Sequence, residues 1–184
     1  MKKITIILSL FTLLLASCSG SDGRDGIDGL DGINTLSTVF EVTGINYVYD
    51  NANNEWFTQN PIPFDGIEVL EGDAVLVYLA DGTVTASDGQ PTDLWKLMPI
   101  TFYDPDNRNN EFQYEFNYTF DSVELNIVGN FDLSTLNNAA VSNQKVRIVV
   151  IPAEYAQDFN GNFSNYNEVM STLELKESDI QVLD

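Results

Sequence analysis

The segment from Phe112 to Ile127 constrains the fold more than any other part of this chain. Its first half alternates aromatic and polar residues without a break: Phe112, Tyr114, Phe116, Tyr118 and Phe120 are the aromatic positions. This period of two places every aromatic side chain on one face of a β-strand. Asp121 and Ser122 then supply a tight turn, and Val123–Ile127 resumes the alternation. The segment therefore predicts a β-hairpin with one apolar face.

Further strands are predicted on both sides of this hairpin. Ala74–Leu79 and Val146–Ile151 are continuous apolar runs apart from Arg147, which is typical of central strands. Thr38–Tyr49 predicts one or two strands broken near Gly44. Leu94–Tyr103 predicts a strand interrupted by Pro99, and Ile180–Val182 predicts a short closing strand.

One helix is predicted near the C-terminus. Asn165 followed by Glu168 fits a capping box, and the apolar positions after it follow helical spacing: Tyr166, Val169, Met170 and Leu173. Many short strands with one late helix indicate a mainly β fold. We expect residues 35–184 to form a single domain, an antiparallel β-sandwich with one short C-terminal helix.

The N-terminus has the layout of an export signal. Lys2 and Lys3 precede the largely apolar stretch Ile4–Leu15, which is too short to span a bilayer as a helix. A basic head followed by a short apolar stretch is typical of a secretory signal peptide. We therefore expect residues 1–17 to be removed.

The end of this stretch predicts lipidation. Leu15, Ala16 and Ser17 precede Cys18 in the order of a bacterial lipobox, so cleavage would leave Cys18 as the lipidated first residue. An ordinary signal peptide with an accidental cysteine is the alternative, but Cys18 is the only cysteine in the chain. Two or more acyl chains anchor a protein stably to a membrane. Ser19 is not the aspartate that retains some lipoproteins at the inner membrane, which favours the outer membrane.

Residues 18–34 form a predicted tether. Glycine recurs at every third position, at Gly20, Gly23, Gly26, Gly29 and Gly32, and Asp fills most third places. This spacing is collagen-like. The composition favours a flexible, extended spacer. A short triple helix that would trimerise the protein and an array of calcium-binding turns are the alternatives.

Together these features resemble a family of small lipoproteins from Bacteroidetes-type bacteria that carry a collagen-like Gly-X-Y leader after the lipobox cysteine. The resemblance continues in four later segments: 73–78 (DAVLVY), 95–99 (WKLMP), 146–152 (VRIVVIP) and 164–170 (SNYNEVM). It implies an envelope lipoprotein and implies no particular activity.

Charge and missing residue types exclude several functions. Losing Lys2 and Lys3 with the signal leaves six basic against 28 acidic residues, a formal charge of −22. Such a chain repels nucleic acid, whose binding depends on basic residues. The chain has no histidine, and its one thiol is assigned to lipid. Serine–histidine and cysteine–histidine catalysis and histidine-based metal sites are therefore excluded.

An acidic loop suggests calcium as the one cofactor to consider. Asp104, Asp106, Asn107, Asn109 and Glu111 concentrate oxygen ligands of the kind that calcium prefers. Neither this loop nor the segment 158–163 fits an EF-hand. Both are also typical of turns in which Asp and Asn side chains bond their own backbone.

Aromatic side chains suggest glycan binding. Trp56, Phe57, Trp95 and Tyr103 could stack on sugar rings. Trp95 has apolar neighbours and is better explained by core packing. Trp56 lies between polar runs, so Trp56 and Phe57 are the predicted ligand-binding residues.

The sequence therefore predicts a non-catalytic, lipid-anchored envelope protein with an interaction, adhesion or accessory role in an envelope or uptake complex. Its expected partners are the membrane, through Cys18, and envelope proteins or glycans. A calcium- or glycan-binding module is the alternative. A small carboxylate-dependent glycoside hydrolase is the third possibility, because that chemistry needs only two acids.

Overall fold

The computed structural model describes residues 36–183, which form two packed β-sheets. The strands, numbered in chain order, are β1 (Thr38–Ile45), β2 (Tyr47–Asp50), β3 (Glu55–Thr58), β4 (Ile62–Pro63), β5 (Ala74–Thr85), β6 (Pro91–Leu97), β7 (Ile100–Tyr103), β8 (Glu111–Tyr118), β9 (Ser122–Gly129), β10 (Gln144–Ile151) and β11 (Ile180–Leu183). The signal peptide, the cleavage residues Leu15–Ser17, the lipidation site Cys18 and the glycine-triplet tether lie outside the described residues.

The two sheets are antiparallel apart from one edge. Sheet A has the order β11-β1-β10-β5-β6, and sheet B has the order β2-β3-β9-β8-β7, with β4 also paired to β9. Only the pairing of β11 with β1 is parallel among the described strands. The predicted mainly β, antiparallel sandwich with a short C-terminal helix is confirmed. The predicted central strands β5 and β10 do lie inside sheet A, paired with each other.

The inner faces of the two sheets form the main core. From sheet A, Phe40, Val77 and Ile148 are fully buried, and Leu125 and Ile127 of sheet B pack against the same cluster. Because side chains alternate along a strand, one set of residues from each strand supplies this core.

A second apolar layer covers the outer face of sheet A. The described residues contain three short α-helices, α1 (Asn138–Val141), α2 (Ala153–Asp158) and α3 (Tyr166–Thr172). Helices α2 and α3 follow β10 and build this layer, whereas Val141 of α1 packs into the main core. Tyr166, Val169 and Met170 of α3 pack on outward residues of the sheet, including Tyr78 and Val149. The predicted helix is therefore present, and α1 and α2 are short additions that the sequence pattern did not indicate.

Only one of the two hydrogen bonds of the predicted capping box is formed at the start of α3. The Asn165 side chain accepts a hydrogen bond from the Glu168 backbone N–H at 3.3 Å. The Glu168 carboxylate accepts from the Asn162 backbone N–H at 3.1 Å, rather than from Asn165 as a complete capping box requires. The preceding turn, 162–165, is thereby fixed to the helix.

The predicted hairpin is formed by β8 and β9. Tyr118 pairs with Val123 beside the turn, and the Thr119 N–H donates to the Ser122 carbonyl at 2.9 Å. The strand ends at Tyr118, so Phe120 lies beyond it and its side chain is 61% exposed.

The segment 94–103 differs from its prediction as a single interrupted strand. Its two halves are β6, at the edge of sheet A, and β7, at the edge of sheet B, with Pro99 in the crossing. Proline has no N–H to continue the ladder, so the chain can leave one sheet there. The segment 38–50 also divides between the sheets: β1 ends after Gly44, whose φ is +71°, and β2 begins in sheet B.

Among residues 36–183, no helix is long and apolar enough to cross a membrane.

Candidate functional site

Trp56 and Phe57, the predicted ligand-binding residues, lie on opposite faces of β3. Trp56 pairs with the buried Ile127, so its ring points inward, whereas Phe57 pairs with Asn126 on the outer face of sheet B. The Trp56 ring is half-buried, lies 5.1 Å from the Tyr49 ring, and donates its indole N–H to the Leu133 carbonyl at 2.8 Å. The segment after β9 therefore covers part of the Trp56 ring, and ligand binding at Trp56 stays a prediction.

Phe57 does lie on a solvent-facing surface. It stands in one row across sheet B with Val48 on β2 and with Asn126 and Glu115 on β9 and β8. Val48 is 42% exposed, and the other three side chains are partly exposed. Ligand binding at Phe57 stays a prediction.

The acidic loop between β7 and β8 is organised by its own side chains. Asp104 accepts hydrogen bonds from the Asp106 backbone N–H at 2.9 Å and from the Asn110 amide at 3.2 Å. These bonds hold the pKa of Asp104 below its usual range, the backbone bond contributing most. Asn107 likewise accepts from the Asn109 N–H at 3.2 Å. These are the side-chain-to-backbone turns that such residues favour.

The loop is also joined to the end of β9. Asn130 donates its amide N–H to the Asn109 carbonyl at 2.8 Å, and its amide oxygen accepts from the Glu111 N–H at 2.9 Å. Within residues 36–183, no three acidic, histidine or cysteine side chains are grouped to hold a metal ion. Calcium binding by Asp104, Asp106, Asn107, Asn109 and Glu111 stays a prediction.

A cleft at one end of the sandwich brings aromatic and polar side chains together. Phe102 on β7 and Phe112 on β8 are direct cross-strand partners on the inner face of sheet B. Their rings stack with centroids 5.7 Å apart and planes 20° apart, and the Tyr114 ring meets Phe102 edge-on at 5.5 Å. Both phenylalanines are only partly buried. The pair forms a wall shared by two adjoining cavities, which we call the end cleft.

The first cavity of the end cleft has a volume of about 430 Å³. Beside the aromatic wall it is lined by Asp81, Gln144 and Lys145, among other residues. Its buried end is closed by the Tyr114 hydroxyl, which donates to the Ala140 carbonyl at 2.6 Å. Burial raises the pKa of Tyr114, and the charge of Asp81 adds to this effect, so the hydroxyl stays protonated.

A bulge in β5 opens this first cavity. The register between β5 and β6 shifts between Ala80 and Thr83, and Gly82 in the bulge has a φ of +82°. Such bulges bend a strand and redirect its side chains. Asp81 is thereby directed to an ion pair with Lys96, and Lys145 pairs with Asp93 at 2.9 Å.

The second cavity, of about 440 Å³, is lined by the same two phenylalanines. Tyr103, Asp104 and Asp106 line it together with Phe131 and Asn137, so it includes part of the predicted calcium loop. Tyr103 is 59% exposed. The end cleft thus combines flat apolar rings with carboxylate and amide groups, the composition typical of small-molecule sites.

The sequence indicated parts of this cleft without joining them. Tyr103 was a candidate for sugar stacking, and Asp104 and Asp106 were candidates for calcium. Phe102 and Phe112 were recognised as strand residues, and Asp81, Gln144 and Lys145 were missed. The alternating aromatic residues in Phe112–Phe120 were the sequence signal for the aromatic wall. Aromatic side chains at the end of a strand can lie beyond the edge of the opposing sheet and so remain partly exposed.

A second polar cluster surrounds Arg147, which is buried on the outer face of sheet A, whereas its partner Glu177 has a side chain that is 72% exposed. Arg147 donates to Glu41 at 2.8 Å, to the Tyr166 hydroxyl at 2.7 Å and to both carboxylate oxygens of Glu177 at 2.8 and 2.9 Å. Its guanidinium also lies 4.5 Å from the centre of the Trp95 ring. Burial alone would lower the pKa of Arg147, but the bonds to Glu177 and Glu41 outweigh it and raise that pKa.

The Arg147 cluster is best explained as structural. A guanidinium can be buried at modest cost when its donors have carboxylate or hydroxyl acceptors, as here. Trp95 packs against both Arg147 and Tyr166, in agreement with its assignment to packing. The sequence signal was the lone arginine within the apolar run Val146–Ile151.

The described residues therefore form a mainly β sandwich whose end cleft is the strongest candidate site. Comparisons of this chain with known protein families, with curated proteins and with solved structures found no match.

Proposed function

We propose that this chain is a lipid-anchored envelope protein whose β-sandwich is a non-catalytic binding module that acts through its end cleft. The observation that carries the binding role is the stacked pair Phe102–Phe112, which walls two adjoining cavities. Apolar rings with a few directed polar groups give a surface that can orient a ligand without reacting with it.

The electrostatics of the cleft support a non-catalytic role. A carboxylate-dependent hydrolase needs one acid whose pKa is raised so that it can donate a proton. In the second cavity the pKa of Asp104 is instead lowered by hydrogen bonds, which keeps it an acceptor at neutral pH. In the first cavity Asp81 is ion-paired with Lys96.

The anchor is proposed from the sequence. Lipid on Cys18 would hold the module at the outer membrane, and the residues 18–34 would separate it from the lipid headgroups. Its partners would be envelope glycans or proteins. Calcium bound by the 104–111 loop is the alternative ligand.

The anchor can be tested in the intact organism. We expect a clickable palmitate analogue to label the full-length chain, and labelling to disappear in Cys18→Ala. Mass spectrometry should find a mature chain that starts at an acylated Cys18. A bare cysteine, or a chain that starts elsewhere, would contradict the anchor.

The binding role can be tested with the purified lipidated chain in detergent. We expect it to co-sediment with envelope fragments from cells that lack the protein. Ala139→Trp should reduce this binding, because Ala139 is exposed and lines the first cavity. Asn138→Trp is the matched control, since Asn138 is also exposed on the same helix and does not line either cavity.

Equal binding by both variants, or none by the unmodified chain, would contradict a role for the end cleft. Hydrolysis of aryl glycosides by the purified chain, lost in Asp104→Asn or Asp81→Asn, would contradict the non-catalytic assignment and favour the hydrolase.

A further inference from the structure

We propose that the end cleft binds a neutral glycan, with sugar rings packed against the Phe102–Phe112 wall. This inference rests on the proposed binding role and names its ligand class. It is carried by the shape of the wall, by the polar groups around it and by the charge of both cavities.

The wall has the shape that a sugar ring needs. Its two rings are nearly parallel, 20° apart, and neither side chain is fully buried. Aromatic faces attract the C–H face of a pyranose ring through dispersion and through the partial negative charge of the π-system. Cavities of about 430 and 440 Å³ are in the size range of small-ligand sites. Each cavity is therefore large enough to hold a sugar ring against the wall.

The polar lining matches hydroxyl groups. Asp81 and Gln144 line the first cavity, and Asp104, Asp106 and Asn137 line the second. Planar carboxylate and amide groups offer two adjacent hydrogen-bonding atoms, which suits neighbouring hydroxyls on a sugar. Asp104 already accepts two bonds, but a carboxylate has about four acceptor positions, so it can accept from a ligand as well.

The charge of the cleft selects against acidic glycans. The first cavity has Lys145 in its lining, and this lysine is paired with Asp93 at 2.9 Å. The Lys96 ammonium lies 5.2 Å from the centre of the Phe102 ring and is paired with Asp81. No lysine or arginine lines the second cavity, as far as the described residues extend. The whole chain has a formal charge of −20. A uronate or sulfate group would therefore enter without a free cation to pair with it.

The test uses the full lipidated chain in detergent micelles. Affinity electrophoresis would be run in gels that contain neutral polymers (β-glucan, mannan, xylan) or polygalacturonate. We expect retardation by at least one neutral polymer and none by polygalacturonate. Phe102→Leu keeps an apolar side chain but removes the flat ring, and should weaken binding by roughly two- to tenfold.

Blocking variants test the position of the site. Ala139→Trp and Thr135→Trp replace exposed residues that line the first and second cavities, and each should reduce retardation. Asn138→Trp and Phe120→Ala are exposed and outside both cavities, so they should migrate like the unmodified chain. Circular dichroism would confirm that all variants are folded.

The results separate this inference from the proposed function. Co-sedimentation with envelope fragments that is lost on protease digestion and survives periodate oxidation of the sugars would overturn the glycan inference and leave the binding role intact. Retardation by polygalacturonate alone, or retardation by none of these polymers, would also overturn it. If the chain binds no envelope material at all, both proposals fail.

Discussion

Sheets A and B have the same strand count along their main paths, yet their strands are buried in different ways. In β10 of sheet A, the six residues Val146–Ile151 are all buried, including Arg147. In β9 of sheet B, Val123, Leu125 and Ile127 are buried and the residues between them are partly or fully exposed. The difference arises because α2 and α3 cover the outer face of sheet A. A sheet covered on both faces needs continuous apolar strands, and a sheet with one solvent-facing side needs alternation.

The two sheets also differ in the surroundings of their charged side chains. The outer face of sheet A buries a guanidinium among carboxylates and aromatic rings. At the strand ends of sheet B, Asp50, Asp104, Asp121 and Asp132 bond neighbouring backbone or side-chain groups, as Asp88 also does in the β5–β6 turn of sheet A. Sheet A is therefore expected to depend on buried packing and pairing, and sheet B on many small surface bonds.

The largest expected effect is a difference in stability between two variants that each lose an aromatic residue from the outer face of a sheet. Tyr78 on β5 lies beneath the helices and is fully buried, whereas Phe57 on β3 faces solvent. Tyr78→Ala should lower the free energy of unfolding by about 4 kcal/mol, as for other large aromatic truncations in cores. Phe57→Ala should lower it by about 1 kcal/mol or less. Urea denaturation measures both, and similar losses would contradict the proposed contrast between the sheets.

The next largest effect is the difference in stability lost when two ion pairs of different burial are broken. Arg147→Ala leaves Glu41, whose side chain is 16% exposed, without its partner, and should cost about 3 kcal/mol. Lys145→Ala breaks a pair whose side chains are 35% and 24% exposed, and should cost less than about 1 kcal/mol. Arg147→Lys should recover little of the lost stability, because an ammonium cannot make the bidentate hydrogen bonds that the guanidinium makes with Glu177. Full stability of Arg147→Ala in urea would show that the buried cluster contributes nothing.

Acid should affect sheet B before sheet A. Hydrogen bonds from backbone or side-chain donors lower the pKa values of Asp50, Asp104, Asp121 and Asp132 below the ordinary 3.8, and each of these residues lies at or just beyond the end of a strand of sheet B. The unfolded chain therefore takes up protons at a higher pH than the folded chain. Their stabilisation is present above about pH 4 and is lost as the pH falls through the lowered folded values.

The two tryptophans report on the two sheets separately. Trp56 lies in sheet B and Trp95 in sheet A, so Trp95→Phe and Trp56→Phe each leave one fluorescent reporter. We expect the Trp56 signal to change at a higher pH than the Trp95 signal during acid titration. Coincident transitions would indicate that the domain unfolds as one cooperative unit.

The smallest expected effect concerns the acidic loop at the edge of sheet B. Because its side chains already bond one another and the backbone, we expect EDTA to change the melting temperature by less than about 2 °C at low ionic strength, or less than about 1 kcal/mol. A larger drop that calcium reverses, and that is absent in Asp106→Asn, would establish a structural calcium site there.

Much of the fold could be predicted from local pattern. The β8–β9 hairpin, the central strands β5 and β10 and the start of α3 are set by alternation, by continuous apolar runs and by one capping side chain. The candidate site was predicted only in fragments. Tyr103 and Asp104 are adjacent in the chain, but Gln144 and Asp81 reach the same cleft from strands of the other sheet.

The sequence by itself determined which residues form strands and which face of each strand is apolar, because these properties depend on neighbours one or two positions away. The tertiary structure decided the burial of Trp56, the separation of β6 from β7 into different sheets, and the assembly of the end cleft. These depend on contacts between segments tens of residues apart, such as the bond from Trp56 to Leu133. A local sequence pattern indicates which face of a strand is apolar. Only the packing of the whole domain determines which segments cover that face and where the strand ends.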